Sequence, residues 1–360
     1  MKKIFKVFIL MLILNIFMVQ SVSASQITLK YDGKVVKTQK QDIKVFMDGD
    51  SVKLSSMPAV IVEDSVYLPA RDIFECLGGS VIWDDNTGRM AIYNEKGKIA
   101  FGLNSNEIEV YGQVKSISAP AKKINGVVMI PAKLIGEVYN YDVKWDSRAK
   151  TVNINTPVQL DENGNPIVKD ETTQPVPTTN GKKIIVIDAG HGAHDSGATG
   201  GGLREKDLNL AMSNAVVAKL QENPNYEVYA TRSTDTFLAL SERSAFSNNK
   251  NADIFISIHV NSASSAATGI ETWYTKKQDT RNQKLARLVQ NSLVDEFGKK
   301  DRGIKSNVFY VTKHTEAPAI LIEIGFISNA SDRAMMSSAD FTERYAAAVA
   351  KAVDQYFSVE

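Results

Sequence analysis

The chain has 360 residues, a formal net charge of +1, 43% hydrophobic residues and 23% charged residues. That balance belongs to a globular protein of about two or three domains. It excludes nucleic acid as the main partner, which would call for a basic excess, and no block of like charges forms a tail.

Residues 1–24 stand apart. Lys2, Lys3 and Lys6 form a positive start, Val7 to Val19 is apolar except for Asn15, and Val22-Ser23-Ala24 fits the small-residue cleavage rule. The pattern predicts a secretory signal peptide that is absent from the mature fold. The apolar run is shorter than the ~20 residues a membrane span needs, and no other segment could cross, so no membrane contact is expected after cleavage. The single cysteine, Cys76, lies among Ile73, Phe74 and Leu77. An internal disulfide is therefore excluded, and the thiol reads as a small buried hydrophobe.

Residues 26–155 repeat themselves. Val66-Tyr67-Leu68-Pro69-Ala70-Arg71 is echoed by Val128-Met129-Ile130-Pro131-Ala132-Lys133, Trp83 by Trp145, and Ile92 by Ile154, each 62 residues on. A constant offset across three landmarks predicts one supersecondary unit used twice. Each unit reads as short strands with turns at Asp48-Gly49, Asp64-Ser65, Asn86-Thr87-Gly88, Gly112 and Asn125-Gly126. A short helix follows each proline, over 70–77 and 132–139, because proline suits a first helical turn. Trp83 and Trp145 are expected to pack the repeat core.

The stretch "LPARDIFECLGGSVIWDD" resembles the copper amine oxidase N-terminal-like domain of secreted bacterial proteins. That resemblance implies binding to the cell wall or to a protein. Copper is not expected: this half has no histidine and one cysteine, whereas copper sites rely on imidazole and soft ligands. Residues 156–181 follow, with Pro157, Pro166, Pro175 and Pro177 among polar residues. They predict an extended, mobile linker that lets the two halves move independently.

Residues 182–360 read as an α/β domain. Ile184-Ile185-Val186-Ile187 is a buried strand that breaks into Asp188, Gly190, His191, Gly192, His194, Asp195 and Gly197. Such a break places ligands at the carboxyl end of a sheet strand, where α/β folds keep them. A helix with Leu208, Met212, Ala215, Val216 and Leu220 at helical spacing opens on Glu205, which could simply favour a positive helix N-terminus. Ile254 to Ile258 runs into His259 and Asn261, repeating the His191 pattern. In Ala319 to Phe326, Glu323 interrupts an otherwise apolar strand, and a buried charge there needs a partner. Helices are also expected over 240–248 and 341–357. The fold class is thus α/β: a C-terminal three-layer domain with a mostly parallel sheet and flanking helices, preceded by a smaller α+β module of two duplicated units.

Two histidines and a glutamate from three segments converging on one sheet edge match a catalytic zinc site with an open fourth position. A second carboxylate must then accept the proton of the attacking water, and Glu323 suits that role. Asp188 is expected to hold a ligand imidazole N–H.

The segments "IDAGHGAHDSGA", "LREKDLNLA", "TRSTDTFLALSERSAFSN", "ISIHVNS" and "RGIKSNVFYVTKHTEAPAILIEIGFISN", in order over residues 183–357, resemble the zinc-dependent N-acetylmuramoyl-L-alanine amidases of the amidase 3 type. The resemblance implies one zinc ion held by His191, Glu205 and His259, with Glu323 as the catalytic acid/base. It implies a secreted, wall-associated autolysin that cuts peptidoglycan between N-acetylmuramic acid and L-alanine. Asn261, Arg302 and Asn329 are expected to line the substrate groove, with His314 in a loop near it. Ala193 and His194 depart from the family's usual glycine-rich loop without touching a ligand position. Only Asn261 to Ile270 separates His259 from the next strand, too short for the inhibitory helix of some relatives, so the site is expected to be open without an activator. The alternatives are another zinc peptidase of the wall, or a non-catalytic wall-binding protein.

Overall fold

A computed structural model describes residues 25–84, 87–94, 96–157, 181–276 and 279–358. The expected signal peptide and nearly all of the expected linker lie outside these residues. The fold is mixed α/β, with a β-rich N-terminal half and an α/β C-terminal half.

The C-terminal sheet has six strands in the order Tyr226–Ala230, Lys183–Ala189, Ile254–Asn261, Ala319–Phe326, Ile270–Tyr274 and Asp301–Ser306. The first four run parallel, and Ile270–Tyr274 pairs antiparallel with Ala319–Phe326. The apolar strand runs are continuous because both faces are covered. Ile185, Ile187, Ile256 and Ile322 meet the helices Glu205–Leu220, Asp279–Phe297 and Phe341–Ser358, whereas Val186, Phe255 and Leu321 face Leu240, Phe246 and Phe309. The 19-residue helix Asp279–Phe297 was not anticipated, since its polar residues obscure the stripe of Leu285, Val289 and Leu293.

In the N-terminal half, three larger sheets surround one core that includes Leu68, Phe74, Ile92, Ile130 and Ile154. Each proline-ended strand, Ser65–Pro69 and Val127–Pro131, leads into a short helix, Ala70–Cys76 or Lys133–Tyr139, and then a hairpin. Trp83 and Trp145 are half-buried at the edge of that core, beside Lys123 and Lys150. Cys76 is buried, and burial pushes its thiol well above the ordinary range.

The two halves pack against each other, contrary to the independence expected of them. Asp48 pairs with Lys313 at 2.6 Å, Lys53 N–H donates to Asn307 Oδ1 at 3.0 Å, and Val308 is buried in the N-terminal core. Tyr93 lies 4.5 Å from the His194 ring. Composition suggested a linker but could not reveal these contacts, which come from residues scattered along both halves.

Candidate functional site

Two strand ends and a helix start build the site. After Ala189 the chain turns through Gly190 into His191, whose φ of 62° is the left-handed conformation that costs a non-glycine residue energy. Two glycines are dictated by close approach. A Cβ at Gly190 would lie 2.2 Å from the His259 ring. One at Gly197 (φ +61°) would lie 2.6 Å from Glu205 Oε2 and 2.7 Å from His191 Cδ2.

The loop is held by two arginines that the sequence reading passed over. Buried Arg243 donates to Asp188 Oδ1 at 2.8 Å, to the Ala189 carbonyl at 2.6 Å and to the His191 carbonyl at 2.9 Å. Buried Arg232 donates to the carbonyls of Ala189 and Gly190, each at 2.9 Å. The only hint in the sequence was two arginines amid the polar run after Ala230.

His191, Glu205 and His259 come together, with one ligand atom of each within 4.8 Å of the others. His191 Nε2 is 3.2 Å from Glu205 Oε1, and His259 Nδ1 is 2.9 Å from the same oxygen. Two ligands about 2.0–2.1 Å from a tetrahedral zinc are ~3.3 Å apart, so this nitrogen, nitrogen and oxygen set fits that ion in both chemistry and spacing. Glu205 is aimed by backbone donors: the Val260 N–H reaches Oε1 at 3.1 Å and the Ala198 N–H reaches Oε2 at 2.8 Å.

Asp195, not Asp188, holds the His191 imidazole: its Oδ2 lies 2.9 Å from His191 Nδ1. An N–H donated there leaves Nε2 to face a metal. Asp188 shares the face of Val186 and accepts instead from Thr231, Ser257 and Arg243. The expectation failed because Asp188 lies before the turn, where Thr231, Ser257 and Arg243 already engage its carboxylate.

The electrostatics fit a cation. Burial disfavours charge on His191, but Glu205 and Asp195 outweigh it and lift the imidazole well above its usual range. Burial raises the Glu205 carboxyl, yet His191 and His259 hold it well below the ordinary value. Burial likewise raises Asp195, but His191 and the Gly197 N–H draw it down to about 2. A site that stabilises an imidazolium so strongly would favour a divalent ion in the same place.

Glu323 stands directly opposite His259 on the neighbouring strand, and Oε2 is buried with no hydrogen-bond partner among the described residues. Burial, then the charges of Glu205 and Glu271, push its pKa well above the carboxylate range. A carboxyl with a raised pKa and a free oxygen is able to exchange protons.

The remaining expected residues are placed as follows. Asn261 donates to Glu271 at 2.9 Å, and Arg302 Nε donates to the same carboxylate at 2.6 Å. Asn329 caps the helix Ala330–Met336 through Ser331 N–H and Asp332 N–H, and its amide donates to the Ser265 carbonyl. His194 packs between Tyr93 and Phe237, and His314 ends the short helix Tyr310–His314, stacked on Tyr310. Asn261 to Ile270 does form only a short connection. The N-terminal half borders the site all the same: Arg71 and Glu75, paired at 3.1 Å on the helix Ala70–Cys76, feel the charges of the cluster. Glu271 was missed, because a lone glutamate in "GIETWY" carries no local signal.

The chain was compared with known proteins. Residues 185–355 match the N-acetylmuramoyl-L-alanine amidase family, and residues 46–154 match the copper amine oxidase N-terminal domain. YqiI of Bacillus subtilis (strain 168), an uncharacterized protein, is 43% identical over 176 residues, which cover 49% of this chain and 85% of that one. The N-acetylmuramoyl-L-alanine amidase LytC of the same organism is 40% identical over 177 residues, 49% of this chain but 36% of LytC. Its germination-specific N-acetylmuramoyl-L-alanine amidase is 32% identical over 192 residues, 49% of this chain and 80% of that enzyme. By these matches, and with the His191, Glu205 and His259 cluster inside the matched segment, the chain belongs to the N-acetylmuramoyl-L-alanine amidase family.

Proposed function

We propose that this protein is a secreted, zinc-dependent hydrolase that cuts the amide between N-acetylmuramic acid and L-alanine in peptidoglycan. His191, Glu205 and His259 would hold one zinc ion, and Glu323 would be the acid/base. Zinc, when bound, lowers the pKa of water toward ~7 and polarises the scissile carbonyl. Glu323 takes the proton of the attacking water and returns it to the leaving nitrogen of L-alanine. Asp195 keeps His191 in the tautomer and orientation that present Nε2. Arg232 and Arg243 fix the loop that carries His191.

The same reading divides the chain into a signal peptide (1–24), a duplicated module (26–155), a linker (156–181) and the catalytic domain (182–360). Pairing in the module supports a duplication. Leu68 lies opposite Ile130, its own equivalent 62 residues on, while Pro69 faces Met129 and Tyr67 faces Pro131. That reciprocal register is what a local two-fold axis produces. We assign the module to wall or protein binding, as its family resemblance implies. Secretion follows from the leader pattern, and no helix among the described residues is long and apolar enough to cross a membrane.

The observation that carries the catalytic reading is Glu323: a carboxylate with one buried oxygen unpartnered among the described residues, one strand from a group that could hold a metal. Peptidoglycan hydrolysis by wild type and Glu323→Gln, with zinc content measured on both, tests it. The expected result is release of L-alanine amino groups by wild type alone, with equal zinc in the two proteins. A variant that still cuts refutes the role of Glu323, and shortened stems in place of freed glycan chains would identify a peptidase.

A further inference from the structure

Beside the catalytic row lies a concentration of positive charge that the hydrolysis itself does not use. His259 faces Glu323, and Glu323 faces Glu271 across the next ladder, so the three side chains stand in a row on one face of the sheet. At ~4.8 Å per strand, Glu271 is about 10 Å from the metal-binding end of the row. On its far side Arg302 donates to Glu271 through Nε at 2.6 Å, and Lys305 pairs with the same oxygen. The N-terminal half adds a third cation. Lys53 Nζ sits 4.5 Å from the centre of the Trp273 ring, with Lys305 Nζ 5.2 Å from the same ring.

Arg302 and Lys305 thus share one buried carboxylate, and Lys53 adds a third positive charge beside them, so the cations outnumber that carboxylate. Among the described residues Lys53 has no ion-pair partner. The crowding registers on Lys53, whose pKa is lowered by burial and by Lys305 and Arg302. The face of Trp273 can hold two ammonium groups close together, but it does not neutralise them. Arg302 and Lys305 remain 28% and 22% exposed, so an incoming anion can reach them.

We infer that Lys53, Arg302 and Lys305 form a carboxylate-binding subsite, shared between the two halves, that holds the free carboxylate of the second stem-peptide residue while the amide before L-alanine lies at His191, Glu205 and His259. This rests on the amidase reading above. An extended peptide advances ~3.4 Å per residue, so a carboxylate two residues from the scissile bond comes within reach of these long side chains. Arg302 offers its guanidinium edge for that contact, with only Nε engaged among the described residues. The N-terminal half is then part of the substrate site as well as a wall anchor.

The test uses the full, zinc-loaded chain on peptidoglycan whose second stem residue carries either a free carboxylate or its amide. Wild type should favour the free acid, chiefly through KM. Lys53→Met should erode that preference on the order of three- to tenfold, the effect of losing one partly exposed charge-assisted contact, and Lys53→Arg should restore it. Calorimetric binding of a free-acid stem peptide to Glu323→Gln should weaken in parallel when Lys53→Met is added. Equal responses to acid and amide would overturn the subsite, as would a rate increase on both, which would make the N-terminal half a cover and not a contact surface. If wild type cuts neither material, the amidase reading fails first and the subsite with it.

Discussion

Replacing Arg243 with methionine should cost the C-terminal half a large part of its stability, although Arg243 touches no proposed ligand side chain. Arg243 is 1% exposed, as is Asp188, to which it donates at 2.8 Å. It also donates to the carbonyls of Ala189 at 2.6 Å, His191 at 2.9 Å and Leu238 at 3.0 Å. Methionine preserves much of the bulk but leaves the Asp188 carboxylate buried with only the Thr231 and Ser257 hydroxyls. Removing one partner of a buried pair costs about 3–5 kcal/mol, against about 5–15 kcal/mol for a whole domain. At ~2–4 °C per kcal/mol for a domain of this size, Tm should fall by roughly 6–20 °C. Urea and thermal unfolding of the full chain would read this directly. Adding Asp188→Asn should recover part of the loss, because the stranded charge is then gone. A cost below about 1 kcal/mol, or strictly additive costs in the double variant, would refute the view that this pair anchors the His191 loop.

Other outcomes follow from the same geometry. Asp195→Asn should lower zinc affinity about 10–100-fold while zinc can still bind, as measured by competition with a chelating dye. Gly197→Ala should nearly abolish metal retention with the far-ultraviolet circular dichroism intact, since its Cβ would enter the space of Glu205 and His191; full zinc content in that variant would contradict the packing. In the metal-free protein, Asp188 and Asp195 have folded-state pKa values held below the ordinary ~3.9. Their contribution to stability is therefore complete above that value and is lost as pH falls toward about 2, the folded value of Asp195. Urea midpoints measured from pH 5 to pH 2 should decline most steeply at the acid end, and a flat profile would reject the assignment.

Much of the candidate site could be read in the sequence, because three of its members sit where an apolar run ends or is interrupted. His191 and His259 follow strands of isoleucine and valine, and Glu323 stands out within one. Glu205 was less legible: at a helix start it resembles any residue favouring the helix dipole. Its role comes from the Ala198 and Val260 N–H groups that aim it, and those lie seven residues before it and far along the chain. Asp195 was masked by Asp188, since sequence order cannot tell which of two nearby carboxylates a turn will swing toward an imidazole. Glu271 and Lys53 were out of reach altogether. Their meaning arises only when antiparallel pairing with the Glu323 strand and the packing of the two halves bring them to one place.

The reciprocal pairing of the two proline-ended strands also limits how the N-terminal half can be cut. Each of these strands uses the other as its neighbour on one side. Expressing residues 26–87 without their counterpart would leave the Ser65–Pro69 strand with an unpaired row of amides and carbonyls beside the exposed Leu68 surface. Such a fragment has a ready complement in a second copy of itself, because Leu68 can oppose Leu68 as it now opposes Ile130. On the proposed duplication, a single unit is expected to associate with a second copy through this strand, and joining two units in one chain would make that association intramolecular.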